Sequence, residues 1–133
     1  MIAVNIPYVY DAGALIAVDN GDRRMWAIHH LAMEEERTVV VPSVVVSQVW
    51  RNGRDQVRLG RLLASCDVVP IGIDTAKSAG VLCGQARTRD IVDATVVTIA
   101  LAYGGIVFTS DPDDLAHLSA ASGAKPGLVV RRV

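Results

Sequence analysis

Short, solid runs of apolar residues alternate along this chain with longer stretches that repeat at helical spacing. Ile6–Tyr10, Val39–Val41 and Ile106–Phe108 are unbroken apolar runs, rich in β-branched and aromatic residues, of the kind a strand buried on both faces requires. Asp67–Ile71 and Leu128–Val130 are further strand candidates. Between them, Ala12–Val18 has helical composition, and Asp22 to Glu36 places Met25, Ile28, His29, Ala32 and Met33 near one helical face, with Asp22 fit to cap its start. Pro42 closes the second strand, Ser43 is a candidate N-cap for a helix running to about Arg51, and Asn52-Gly53 breaks it. Asp55–Ser65, Asp74–Arg87 (capped by Asp74), Ile91–Tyr103 and Asp113–Ala120 complete the helices. Ile91–Tyr103 is apolar on most sides, which predicts a central helix, and Gly104-Gly105 ends it.

Strand, helix, strand, helix is the grammar of an α/β fold with a mainly parallel sheet covered on both faces. The length of 133 residues, with no repeat or linker, predicts a single domain over 1–133. Composition agrees: 51% hydrophobic and 20% charged residues are too apolar for a disordered chain. No apolar run reaches the roughly 18–20 residues of a membrane span. The opening MIAVNIPYVYDAG lacks the basic start of a secretion signal, so a cytoplasmic protein without membrane contact is expected. Cys66 and Cys83 lie in no CxxC pair, which argues against zinc and for small buried side chains. The net charge of −1 gives no global basic field. Yet Arg51, Arg54, Arg58 and Arg61 crowd one stretch, suited either to phosphate recognition or to a solvated helix face.

Candidate chemistry follows from where carboxylates fall. In an open parallel sheet the ligand site lies beyond the C-terminal ends of the strands. Asp11 follows the first strand, Asp111 follows Ile106–Phe108 across Thr109-Ser110, and Asp93 lies in the first turn of the long apolar helix, one turn after Asp90. Converging carboxylates repel one another, and a hard divalent cation, Mg²⁺ or Mn²⁺, relieves that repulsion while activating water against a phosphoryl group. The competing reading is local: Asp11, Asp90 and Asp111 each fit a helix N-cap, Asp90-x-x-Asp93 resembles a capping box, and Asp113 and Asp114 suit a helix dipole.

The pieces VYDAGALIA, VVVPSVVVSQVWR, RDIVDATVVTIA and IVFTSDPDDL, in this order and spacing, resemble PIN-domain proteins, and most closely the VapC-type toxins of bacterial toxin–antitoxin pairs. The resemblance implies a three-layer α/β/α fold, Mg²⁺- or Mn²⁺-dependent RNA cleavage, a homodimer, and neutralisation by a cognate antitoxin. Asp11, Asp93 and Asp111 match the family's acidic ligands, and Asp90 matches a further acidic position. Thr109 or Ser110 matches a hydroxyl position that would orient a ligand or a metal-bound water. Gln48 stands where the family usually carries Glu; its amide offers an oxygen but no charge, which should weaken metal binding. Two readings therefore follow: an endoribonuclease toxin, or a weak or inert PIN-like module that binds RNA or an antitoxin. A phosphoacceptor or phosphatase site would need a lysine near the phosphate, and Lys77 and Lys125 end no convincing strand. His29, His30 and His117 are poor ligand candidates, Trp26 and Trp50 better core or interface residues than base-stacking ones, and Asp22 to Arg61 the stretch where partner contacts are expected.

Overall fold

A computed structural model of the chain describes residues 5–133. The reading of the extreme N-terminus falls partly on residues 1–4, outside that range. The elements are β1 (Tyr8–Tyr10), α1 (Ala12–Asp19), α2 (Arg23–Glu34), β2 (Val39–Pro42), α3 (Ser43–Val49), α4 (Val57–Ala64), β3 (Asp67–Val69), α5 (Ile73–Ala86), α6 (Ile91–Tyr103), β4 (Ile106–Thr109), α7 (Pro112–Ser122) and β5 (Val129–Arg132). All strand pairs are parallel, in the order β3-β2-β1-β4-β5. The α/β/α expectation holds, with a sheet that is parallel throughout.

The topology follows from chirality. Right-handed crossovers that step from β1 to β2 to β3 put their helices on one face. The return from β3 to β4 reverses direction and puts its helices on the other. Contacts match: α1 packs with α2, α3 and α4, whereas α5, α6 and α7 pack with one another. Val9, Tyr10, Val39, Val40, Val41 and Val107 are nearly or wholly buried between the two layers. The solid apolar runs thus mark strands covered on both sides, as their sequence requires. The long apolar α6 buries Ala94, Thr95, Val96, Val97, Ile99 and Ala100, and Gly104 in the left-handed region ends it.

Two expected caps differ. Pro42, not Ser43, occupies the N-cap of α3, and Ser43 is already helical. The ψ of 135° at Pro42 swings the chain into the helix, and its ring carries no acceptor, so no side-chain cap forms. Gly72 likewise takes the N-cap of α5, leaving Asp74 in the first turn, where it meets the helix dipole instead of an amide. The second Arg-rich helix begins at Val57, later than Asp55, because Gln56 folds its amide inward. Its Oε1 accepts from the Arg51 and Asn52 amides at 2.7 and 3.0 Å, and its Nε2 donates to the Val49 carbonyl at 3.0 Å. By contrast the Asp22 cap is present, its Oδ1 accepting from the Met25 amide at 2.8 Å. His29 is buried and His30 exposed, as the helical pattern implies. Ser65 donates to the Leu62 carbonyl, so it accepts from His29 Nε2–H at 2.8 Å, and His29 Nδ1 accepts from the Tyr10 hydroxyl at 2.9 Å. Burial keeps this imidazole neutral by lowering its pKa and holds the Tyr10 hydroxyl far above its ordinary value.

Candidate active site

Strand order reverses between β1 and β4, the two neighbours from which the chain departs in opposite directions. Connections leave such a pair on opposite faces, so a crevice opens beyond their C-terminal ends. Tyr10 pairs with Phe108 at those ends, and the Asp11 amide donates to the Phe108 carbonyl at 3.0 Å. Asp11 and Thr109 therefore sit side by side at the crevice, 98 residues apart in sequence.

Thr109 organises this edge. Its hydroxyl, wholly buried, donates to Asp11 Oδ2 at 2.8 Å and accepts from the Asp111 amide at 3.0 Å. One side chain thus fixes the carboxylate of one strand end and the backbone of the turn that carries the next acid. Thr109→Val keeps the shape but leaves the Asp111 amide and an Asp11 oxygen short of a partner. It should lower stability by ~1–3 kcal/mol, and Thr109→Ser should restore most of it; chemical denaturation measures both.

Asp11 and Asp111 stand at the N-cap positions of α1 and α7, yet neither side chain makes a capping hydrogen bond. The local reading of these two residues therefore fails. For Asp90 it succeeds: its Oδ1 accepts from the Asp93 amide at 3.0 Å, a true cap of α6. The box is half closed, because the Asp90 amide donates to the Thr88 hydroxyl at 3.2 Å and not to Asp93. Asp90 still has its second oxygen for another task.

These acids feel one another. Burial raises the Asp11 pKa above the ordinary carboxylate range, Asp111 and Asp90 push the same way, and the Thr109 hydroxyl and Ala12 amide oppose them. Asp93 is pushed up to about 7, first by burial and then by Asp90, Asp11 and Asp114. A carboxyl raised in the folded state stabilises the protein most below its unfolded pKa, and that contribution is lost as pH rises through the folded value. Metal-free protein should accordingly lose stability between about pH 4 and 7 through this group. Asp93→Asn should melt higher than the parent at pH 8 in chelator, with the gap closing towards pH 5 in scanning fluorimetry.

Asp11, Asp90, Asp93 and Asp111 are thus brought to one electrostatic neighbourhood. Asp114, expected only to serve the helix dipole, joins them: with Thr88, Asp90, Asp93, His117 and Leu118 it lines a hollow of about 190 Å³. The signal was present in the sequence, because Asp114 lies one turn into a helix that opens on the acidic edge. Ser110 makes no hydrogen bond to an acid; it packs against Gly13, and its carbonyl accepts from Arg132 at 3.2 Å. Arg132, paired in register with Thr109, brings a guanidinium to this edge that sequence reading did not single out. Gln48 is exposed on α3 and has no hydrogen-bond partner among the described residues. Its helix packs against α1, but nothing joins its amide to the acids.

Oxygen-only donors, among which Asp11 and Asp93 are raised by burial and by their acidic neighbours, fit a hard divalent cation. Among the described residues no three Asp, Glu, His or Cys side chains stand close enough to enclose a bare ion. A divalent cation that keeps several of its waters needs fewer direct protein ligands than a bare one.

A family model described as the PIN domain matches residues 8–121. The chain belongs to the PIN domain family. Its matched stretch runs from β1 into α7 and contains every acid discussed. No curated protein matches the chain. Among solved structures, this PIN domain is similar to a chain of VapBC2 from Rickettsia felis bound to a promoter DNA fragment, with a TM-score of 0.68, 14% identity, and coverage of 96% of this chain and 99% of that one. A toxin–antitoxin complex from Klebsiella pneumoniae gives 0.65 at 18% identity over 82% and 90% of the two chains. DNA-bound VapBC from Salmonella typhimurium gives 0.63 at 13% over 96% and 98%. At such identities the likeness establishes the fold. No helix among the described residues is long and apolar enough to cross a membrane.

Proposed function

We propose that this PIN domain is a Mg²⁺- or Mn²⁺-dependent endoribonuclease, the toxin of a type II toxin–antitoxin pair, that hydrolyses RNA phosphodiester bonds. PIN domains are generally nucleases, and the observation that carries the reading here is Asp11 and Asp111 standing uncapped at the strand ends where the sheet order reverses. Asp11, Asp93 and Asp111 form the catalytic acids and, with the free oxygen of Asp90, would hold the metal directly or through its retained waters. A bound divalent cation supplies an activated water and charge stabilisation at the phosphoryl group. Thr109 holds the Asp11 carboxylate in one orientation and ties the Asp111 backbone to it. Arg132, at the same edge, supplies a cation for a phosphate oxygen. The fold neighbours are toxin–antitoxin complexes, which supports a cognate antitoxin; assembly as a homodimer is the further part of this proposal.

The test is RNA cleavage with Mg²⁺ or Mn²⁺, with and without chelator. Cleavage should require the metal, and Gln48→Glu, which adds a carboxylate on the helix packed against α1, should lower the metal concentration needed by about tenfold if that position serves the metal. If neither the parent nor Gln48→Glu binds metal or cuts RNA, the chain is instead an inert module that binds RNA or an antitoxin. The exposed, unpartnered Gln48 is what favours that second reading.

A further inference from the structure

The Arg-rich stretch and Trp26 stand apart in sequence, and the fold joins them. Arg58 and Arg61 of α4 face Trp26 and His30 of α2 across an open groove of about 540 Å³ with Leu62 in its wall. Both helices rest on α1, which spaces them. The Trp26 indole N–H donates to the Val18 carbonyl at 3.2 Å, so its ring is fixed, and the His30 ring lies tilted 5.9 Å from it. The Arg58 guanidinium donates to the Asp19 carbonyl at 3.4 Å and lies over Gly21, where an added Cβ would stand 3.2 Å from Nη1. Gly21 at φ +75° keeps that seat open.

The arginines at this groove make no ion pair. Among the described residues the one ion pair is Arg37 with Glu35, so neither Arg58 nor Arg61 has a carboxylate partner. The nearby acids are engaged: Asp19 accepts from the Gln56 amide and Asp22 caps α2. A pair of exposed arginines alone is ordinary surface. Two guanidiniums facing a fixed indole and an imidazole across a concavity make a surface for a polyanion with flat rings.

We propose that the groove between α2 and α4 binds single-stranded RNA, with Arg58 and Arg61 on successive phosphates and Trp26 with His30 against a base. This deepens the nuclease reading and rests on it for the identity of the nucleic acid. Distance allows it. The eight residues of α1 span about 12 Å between Asp11 and the Asp19 end, where Arg58 sits. That separation is short against a strand of the ~4–16 nucleotides that such grooves track, so one strand is long enough to reach both the groove and the acids. The groove is then a holding site for nucleotides flanking the cleaved bond, and it sets affinity rather than chemistry.

Binding of a fluorescent mixed-sequence RNA of about 12 nucleotides, followed by anisotropy across salt concentrations, tests this. Arg58→Ala and Arg61→Ala should each weaken binding about three- to tenfold and lower the salt slope by about 0.7. In cleavage assays KM should rise by the same factor with kcat unchanged, and Arg58→Lys should recover the salt slope, with melting curves confirming that the variants fold. An unchanged affinity and KM in Arg58→Ala/Arg61→Ala, while the parent cuts RNA, overturns the groove and leaves the nuclease reading standing. Loss of binding to an acidic antitoxin segment with RNA binding intact overturns it in favour of a protein occupant. Arginine-dependent RNA binding without any cleavage supports the groove and removes the nuclease reading. RNA neither bound nor cut by the parent removes both.

Discussion

Asp11→Asn is expected to reduce RNA cleavage on the order of a thousandfold while the protein stays folded and melts no lower than its parent. The two halves of this result share one cause. Asp11 is only 4% exposed and its charge is disfavoured there by burial and by the other acids. Asparagine keeps the oxygen that accepts from Thr109 and drops the charge, so the fold loses nothing that held it together. The chemistry loses a negative ligand at the position fixed by both strands. Parallel cleavage and melting measurements decide it. Equal cleavage by parent and variant removes Asp11 from the site, and a collapsed melting temperature assigns it a structural role.

Gly13→Ala is expected to lose about a hundredfold in cleavage and ~1–3 kcal/mol in stability, although alanine is by propensity the better helical residue. A Cβ at Gly13 would lie 2.5 Å from Ser110 Oγ and 2.6 Å from the Ser110 amide nitrogen. The hydroxyl can swing away; the backbone nitrogen cannot. Either the first turn of α1 or the turn between β4 and α7 must shift. Those two segments carry Asp11 and Asp111, and misplacement by about 1 Å can cost a hundredfold in rate. Gly80→Ala on α5, where a new Cβ meets nothing within 4 Å, should instead raise stability by ~0.5–1 kcal/mol with cleavage unchanged. The contrast between the two glycines, read by denaturation and by rate, separates steric contact at the site from backbone entropy.

Much of the fold was legible because burial on both faces writes itself as solid apolar runs. Val39–Val41 and Ile106–Phe108 became strands, and the apolar Ile91–Tyr103 became the covered helix at the middle of its layer. The acids were legible because they end such runs. What could not be read was whatever depends on segments meeting. That Asp90 truly caps while Asp11 and Asp111 do not is a matter of side-chain direction, and all three have the same local sequence signal. Thr109 and Ser110 are adjacent and both hydroxylic, yet only Thr109 points inward to Asp11. Asp114 and Arg132 enter through α7 and the β4–β5 register, and Gln48 sits exposed with nothing to join it to the acids. The helix starts at Ser43 and Asp74 were misplaced by one or two residues because proline and glycine took the cap positions through backbone geometry alone.

The missing caps of α1 and α7 have a consequence for local opening. With no capping hydrogen bond from the Asp11 or Asp111 side chain, these first turns rest mainly on backbone bonds, Ala14 and Leu15 to the Asp11 carbonyl and Leu115 to the Asp111 carbonyl at 3.1–3.4 Å. An N-cap side chain contributes ~1 kcal/mol that is absent at both. In hydrogen exchange, the amides of these two turns should open well before those of β1 and β4 beside them. The proposed site thus borders two well-buried strands at turns that open early, and an ion or substrate seated there should be felt first as slower exchange at Ala14, Leu15 and Leu115.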